Sequence, residues 1–235
     1  MSLLVDTFGR THNNLRISVT DRCNIRCFYC MPEDVKFGAK EEVLTFEEIE
    51  RVARVAASLG VRKLRLTGGE PLLRRGLPKL IEKLAAIPGI EDIAITTNGV
   101  LLAAHARDLH AAGLRRLNVH LDTLDRERFH FITRRDDLPK VLAGLDAARQ
   151  AGFESIKINA VAVRNLVEPD IVPMARWGRE NGYEIRYIEF MPLDGDHSWT
   201  GDRVLTGEEI REIVHAVYPM EEAPREAHAT ARVFR

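Results

Sequence analysis

Cysteine is nearly absent from this chain: there are three in 235 residues, all between Cys23 and Cys30. Three thiols cannot pair evenly, and the opening Met1-Ser2-Leu3-Leu4-Val5-Asp6 has no basic segment followed by an apolar one. Neither a disulfide framework nor an export signal is therefore expected, and the thiols fit a reducing cytoplasm. Net charge is also scarce, because 34 Lys and Arg stand against 35 Asp and Glu for a formal charge of -1. That balance excludes any global attraction to nucleic acid or to a membrane surface, so binding of a polyanion has to come from locally placed cations. No apolar run approaches the roughly 20 residues of a membrane span. What remains is a chain with 45% hydrophobic residues, enough for one core at a length at which barrel folds commonly form one domain.

The cysteines stand in the run Asp21-Arg22-Cys23-Asn24-Ile25-Arg26-Cys27-Phe28-Tyr29-Cys30. A C-x3-C-x2-C triplet offers three thiolates, one short of closing a four-coordinate site. The spacing predicts a cubane iron-sulfur cluster whose fourth iron stays open to a small molecule. The alternative is a structural zinc completed by a distant histidine such as His12 or His197, although nothing shows the paired spacing of a zinc ribbon.

Branched, apolar strands are predicted at Leu15 to Thr20, Lys63 to Thr67, Asp92 to Thr97, Arg116 to Leu121, Ser155 to Val163 and Glu184 to Phe190, each followed by a helical pattern. Thr45 with Glu48 reads as a capping box, and Gly60, Gly113, Gly152 and Gly182 stand where left-handed helix ends are wanted. The fold class expected is α/β, a parallel sheet with right-handed crossovers, opened into a partial (β/α)6 TIM-like barrel over residues 1–217, with 218–235 as a tail. In such a sheet the ligand site lies at the carboxyl ends of the strands, where the cysteine loop, Gly68-Gly69-Glu70-Pro71, Thr96 to Gly99, His120 with Asp122, and Glu189 to Pro192 all fall. Arg16, Lys63, Arg65, Lys157 and Arg186 lie on four strands, and their alternation can aim them into the barrel. Cations there are costly unless an anion meets them, the bland alternative being salt bridges to strand-end carboxylates.

With these motifs in place, the chain resembles the radical S-adenosylmethionine (SAM) enzymes. Its flanks, Leu15 to Asn24 and Met31-Pro32, are similar to the GTP 3',8-cyclase family of molybdenum cofactor biosynthesis. So are Leu64 to Leu72, Thr96 to Gly99, Asn118 to Leu124, and Tyr187 to Pro192, in the same order. The resemblance implies that Cys23, Cys27 and Cys30 hold a [4Fe-4S] cluster whose fourth iron takes SAM, and that an electron donor drives its cleavage to a 5'-deoxyadenosyl radical. That radical would remove a hydrogen from the ribose of GTP. It further implies SAM contacts at Tyr29, Gly69 and Met191, with Glu70 as partner of the methionine ammonium. Arg16, Arg65, Thr96 and Lys157 match GTP-binding positions, Arg186 matches a further active-site arginine, and Lys63 joins them as a cation. The ordinary reading of Met191 is a core methionine.

The pattern departs from the family in two places. His120 stands where the family has serine, next to SAM. The family also continues into a further region with a second cysteine triplet that binds the purine, whereas no cysteine follows Cys30 here. The expectation is accordingly a truncated member that keeps the SAM half and part of the triphosphate site. An uncovered barrel flank would favour association, a homodimer included. The competing functions are a radical SAM enzyme on another nucleotide or a peptide, and a non-catalytic, metal-stabilised binding protein.

Overall fold

The computed structural model describes residues 3–193, 198–224 and 231–235. Six strands form one parallel sheet in sequence order: β1 (Asn14–Ser18), β2 (Lys63–Thr67), β3 (Asp92–Thr97), β4 (Arg116–His120), β5 (Ser155–Ala162) and β6 (Glu184–Glu189). Helices cross between them: α1 (Phe46–Ser58), α2 (Leu77–Ala85), α3 (Leu102–Ala111), the pair α4 (Arg126–Thr133) and α5 (Leu138–Gln150), α6 (Glu168–Asn181), and after the last strand α7 (Gly207–His215). β1 and β6 are the two edges, so the sheet is an open partial barrel, as the strand count predicts. The observed strands end one or two residues before several of the predicted ends, because Val19, Thr20, Leu121 and Phe190 already belong to the connections.

Local chemistry explains the elements. Thr45 accepts from the Glu48 N–H while Glu48 reaches back to the Thr45 N–H, closing the predicted capping box of α1. Ile49, Ala53, Ala56 and Ala57 then recur on one face and bury it. Thr206 and Glu209 make a second such box at α7, which the sequence reading missed. Gly60, Gly113, Gly152 and Gly182 all have positive φ, between 72° and 102°.

The strands have two unlike faces. Along β5, Ile156, Ile158, Ala160 and Ala162 are buried while the alternate residues Ser155, Lys157, Asn159 and Val161 are half-exposed. Leu64 and Leu66 of β2, Ile95 of β3 and Leu117 of β4 likewise sit at zero exposure in the core that includes Leu80, Leu84, Leu102 and Leu109 of the helices. The apolar face is therefore the one under the helices, and the polar side chains line the concave inside of the barrel. The tail does not run onward as a free strand. Glu222 bridges Phe234 antiparallel, with Ala223 N–H donating to Val233 O at 2.8 Å, and Tyr218 and Met220 pack on the core under α6 and α7.

Candidate active site

The cysteine loop follows β1 and is fastened from both sides. Arg26 N–H donates to Thr133 O (2.9 Å) and Phe28 N–H to Ile132 O (3.1 Å), tying it to the end of α4. The Arg26 guanidinium donates inward to Cys23 O (2.8 Å) and Ile25 O (2.9 Å). After β2, Gly69 N–H donates to Thr20 O and Glu70 N–H to Arg22 O, both at 2.7 Å. This contact explains the double glycine: a Cβ on Gly68 would stand 2.5 Å from Thr20 O, and one on Gly69 would stand 2.6 Å from Asp21 O and closer still to Arg22 O. The close backbone approach expected there is made to the cysteine loop itself.

Cys27 is buried, Cys23 half-buried and Cys30 exposed. Burial pushes the Cys23 thiol up, and the charges of Glu70, Cys27 and Cys30 add to it. Burial and Cys27 likewise raise Cys30, against a lowering influence of His120. A cationic group bound by the thiolates would relieve the raised Cys23 and Cys30. Among the described residues no three His, Cys, Asp or Glu gather as they would around one ion, where thiolates at about 2.3 Å from a zinc stand about 3.8 Å apart. Three thiolates on three separate irons need no such crowding. The donor set thus fits an open cluster better than zinc. Of the two histidines considered for zinc, His12 is exposed and pairs with Asp6, and His197 lies outside the described residues.

Around the thiols sits a polar knot. The Tyr29 hydroxyl donates to Asp122 Oδ2 at 2.5 Å and also meets His120 Nε2, which lies 3.1 Å from the same carboxylate oxygen. Asp122 Oδ1 accepts from Val161 N–H on β5 at 2.7 Å. Burial disfavours the imidazolium of His120, but Asp122 and, after it, Cys27 together outweigh burial and raise the ring well above its ordinary pKa. Burial and then Asp122 push Tyr29 up as well. His120, in the place of the family's serine, therefore joins Tyr29 through a shared carboxylate.

Glu70 is completely buried, with Oε1 accepting from Leu72 N–H (2.9 Å) and the Thr97 hydroxyl (2.7 Å), and Oε2 from Asn98 N–H (2.7 Å). Three internal donors hold its carboxyl group, so Glu70 ties the ends of β2 and β3 together. Met191, by contrast, is 49% exposed just past β6, which excludes the core-methionine reading. Asn98 was missed: its side-chain amide donates to Asn24 Oδ1 (2.8 Å) and to Cys23 Sγ (3.8 Å).

The cations fall where alternation aimed them. Arg16, Arg65, Ala94, Arg116 and Ser155 share one level of the inner face, and Ser18, Thr67, Thr96, Asn118, Lys157 and Glu184 the level above. Lys63 and Asp92 lie one level below, and Arg186 one above. Arg65 (3.9 Å) and Arg116 (2.9 Å) share Asp92, while Lys157 (2.6 Å) and Arg186 (2.7 Å) share Glu184. The salt-bridge alternative thus holds for three of the five predicted cations and for Arg116, which was not predicted. Arg16 and Lys63 have no carboxylate partner among the described residues. The strand segments of the inner face place six cations against two carboxylates.

A family model described as the radical SAM superfamily matches residues 17–178. The chain belongs to the radical SAM superfamily. Members of that superfamily use a [4Fe-4S] cluster with SAM, the group that the cysteine loop fits. Among curated relatives, GTP 3',8-cyclase of Rhodopirellula baltica is 56% identical over 87% of this chain and 58% of its own length. GTP 3',8-cyclase 1 of Pseudomonas aeruginosa is 46% identical over 98% of this chain and 70% of its own. The chain thus spans somewhat over half to about two thirds of these relatives. Among solved structures, methylornithine synthase superposes with a TM-score of 0.70 at 19% identity, covering 88% of this chain and 62% of that one. Streptococcus suis SuiB bound to S-adenosylmethionine gives 0.68 at 18%, covering 87% and 46%. Both bear out the radical SAM partial barrel. No helix among the described residues is long and apolar enough to cross a membrane.

Proposed function

We propose that this chain is the radical SAM part of a GTP 3',8-cyclase, acting at the first step of molybdenum cofactor biosynthesis. The observation that carries the reading is the inner face of the barrel, where six cations against two carboxylates stand beneath the loop that carries the three thiols. Such an excess on one concave face attracts an anion. A nucleoside triphosphate supplies that anion, and its sugar would extend toward the strand ends where the cysteines lie.

Cys23, Cys27 and Cys30 would hold the cluster, and Tyr29, Gly69, Glu70, His120 and Met191 would surround SAM beside it. When bound, the pair supplies one-electron cleavage of the sulfonium and, from that, the power to remove a hydrogen atom from carbon. The protein's residues orient and screen. Asp122 fixes Tyr29 and His120 from behind, Glu70 and Asn98 hold the loop against β2 and β3, and Arg16, Lys63, Arg65, Thr96, Lys157 and Arg186 hold the phosphates. A separate electron donor would supply the electron that this chemistry needs.

Anaerobic reconstitution tests the first half of this reading. The chain should take up one oxygen-sensitive four-iron cluster whose electron paramagnetic resonance changes when SAM is added, and Cys27→Ala should abolish it. Tetrahedral zinc-thiolate coordination in the protein as isolated in air would contradict it.

A further inference from the structure

Arg116 belongs to the same level of the inner face as Arg16 and Arg65, with only the methyl side chain of Ala94 between it and Arg65. Its Nη1 lies 2.9 Å from Asp92 Oδ2, and Arg65 Nη2 lies 3.9 Å from the same oxygen. Arg186 reaches the group from β6. Burial first, and then the charges of Arg116, Arg186 and Arg16, make the Arg65 guanidinium easier to deprotonate, while Asp92 opposes them. Three guanidiniums therefore stand close enough to Arg65 to act on its charge, with one carboxylate on β3 and a second, Glu184, that already serves Lys157. Two shared carboxylates do not neutralise this group. Their geometry does something else: a guanidinium pinned at one edge keeps its remaining N–H groups in a fixed fork, ready for a second oxyanion.

We propose that Arg116 binds the polyphosphate directly, with Asp92 as the resident counter-ion that orients Arg116 and Arg65 toward it. The proposal rests on the phosphate reading of the inner face and extends it by one residue on β4. A charge-assisted contact of this kind is lost as about a tenfold weakening, whereas a bridge that merely braces the strand leaves affinity unchanged.

The test is calorimetric titration of the cluster-loaded chain with GTP and with inorganic tripolyphosphate, using Arg65→Ala, Arg116→Ala, Arg116→Gln and Asp92→Asn. Arg116→Ala and Arg116→Gln should each weaken both ligands about tenfold, with circular dichroism and thermal unfolding serving to select a folded variant. Asp92→Asn should bind tripolyphosphate at least as tightly as the wild type, because the amide oxygen still accepts from Arg116 and keeps it oriented while the competing negative charge is gone. If Asp92→Asn loses as much affinity as Arg116→Ala, Arg116 acts only through its bridge and the proposal is overturned. If Arg65→Ala weakens binding and the Arg116 variants do not, Arg116 is no ligand while the phosphate reading stands. Failure of the wild type to bind tripolyphosphate, with Arg65→Ala silent as well, would overturn both.

Discussion

Asn98 and Glu70 hold each other across two strand ends: the Asn98 backbone N–H donates to Glu70 Oε2 at 2.7 Å, and the Asn98 side chain then reaches Cys23 Sγ at 3.8 Å. The buried carboxylate is thereby connected to the cluster loop through one residue, and Glu70 also donates its own N–H to Arg22 O. Glu70→Ala strips three donors of their acceptor in a site without water access. It should destabilise the chain by about 3 kcal/mol, read by denaturant unfolding, and lower the iron taken up on reconstitution. Unfolding of Glu70→Ala at the wild-type midpoint would show that this network is dispensable.

Gly69→Ala tests the fit between the second strand end and the cysteine loop. Its Cβ would press on the backbone of Asp21 and Arg22, which cannot rotate away as a side chain can. The expected cost is about 1–3 kcal/mol together with impaired cluster assembly. Gly201→Ala, at a position with nothing within 4 Å, is the control and should change neither stability nor iron content.

The α7 anchor predicts a pH dependence far from the site. Glu209 accepts from the Arg164 guanidinium and from Thr206, which together bring its pKa down to about 2. A depressed carboxylate contributes stability that is complete above its unfolded value, near 4.3, and is lost as pH falls through about 2. Glu209→Gln should therefore be less stable than the wild type at pH 6, and the difference should shrink between pH 5 and 2. A difference independent of pH would remove Glu209 ionisation as its source.

Nucleotide choice should be weak within these 235 residues. In the proposed reading the cations of the inner face meet phosphates, and base discrimination needs hydrogen bonds to the purine edge. GTP and ATP should bind with similar affinity, both falling with added salt, and Arg65→Ala should weaken both alike. A strong calorimetric preference for GTP would show that guanine is read within residues 1–235.

Much of this was legible before any coordinates. Period-two alternation on β2 and β5 announced an inner face, and the cysteine spacing announced an open cluster, because both are local patterns that geometry cannot hide. The internal bonds of Glu70 were not legible, since its neighbours in sequence give no hint that Thr97 and Asn98, at the end of the next strand, donate to its oxygens. Arg116 was passed over for the same reason. It is one more arginine in a basic run until strand pairing sets it level with Arg65. Asn98 stood inside a quoted motif, but its reach to Cys23 depends on how two connections meet. Contacts between strand ends are fixed by topology, and they are the part that a single sequence conceals.

The central claim is that a thiolate-held cluster with SAM and a cation-lined barrel act on one nucleotide. It is tested most directly by isotope transfer. The reconstituted, dithionite-reduced chain would be given SAM and GTP deuterated throughout its ribose, and the 5'-deoxyadenosine formed would be weighed by mass spectrometry. The account predicts deuterium in that product, lost in Cys27→Ala with the product itself and diminished in Arg65→Ala, whose phosphate grip is weakened. 5'-Deoxyadenosine formed at the wild-type rate with no deuterium, from GTP shown to be bound, would contradict it.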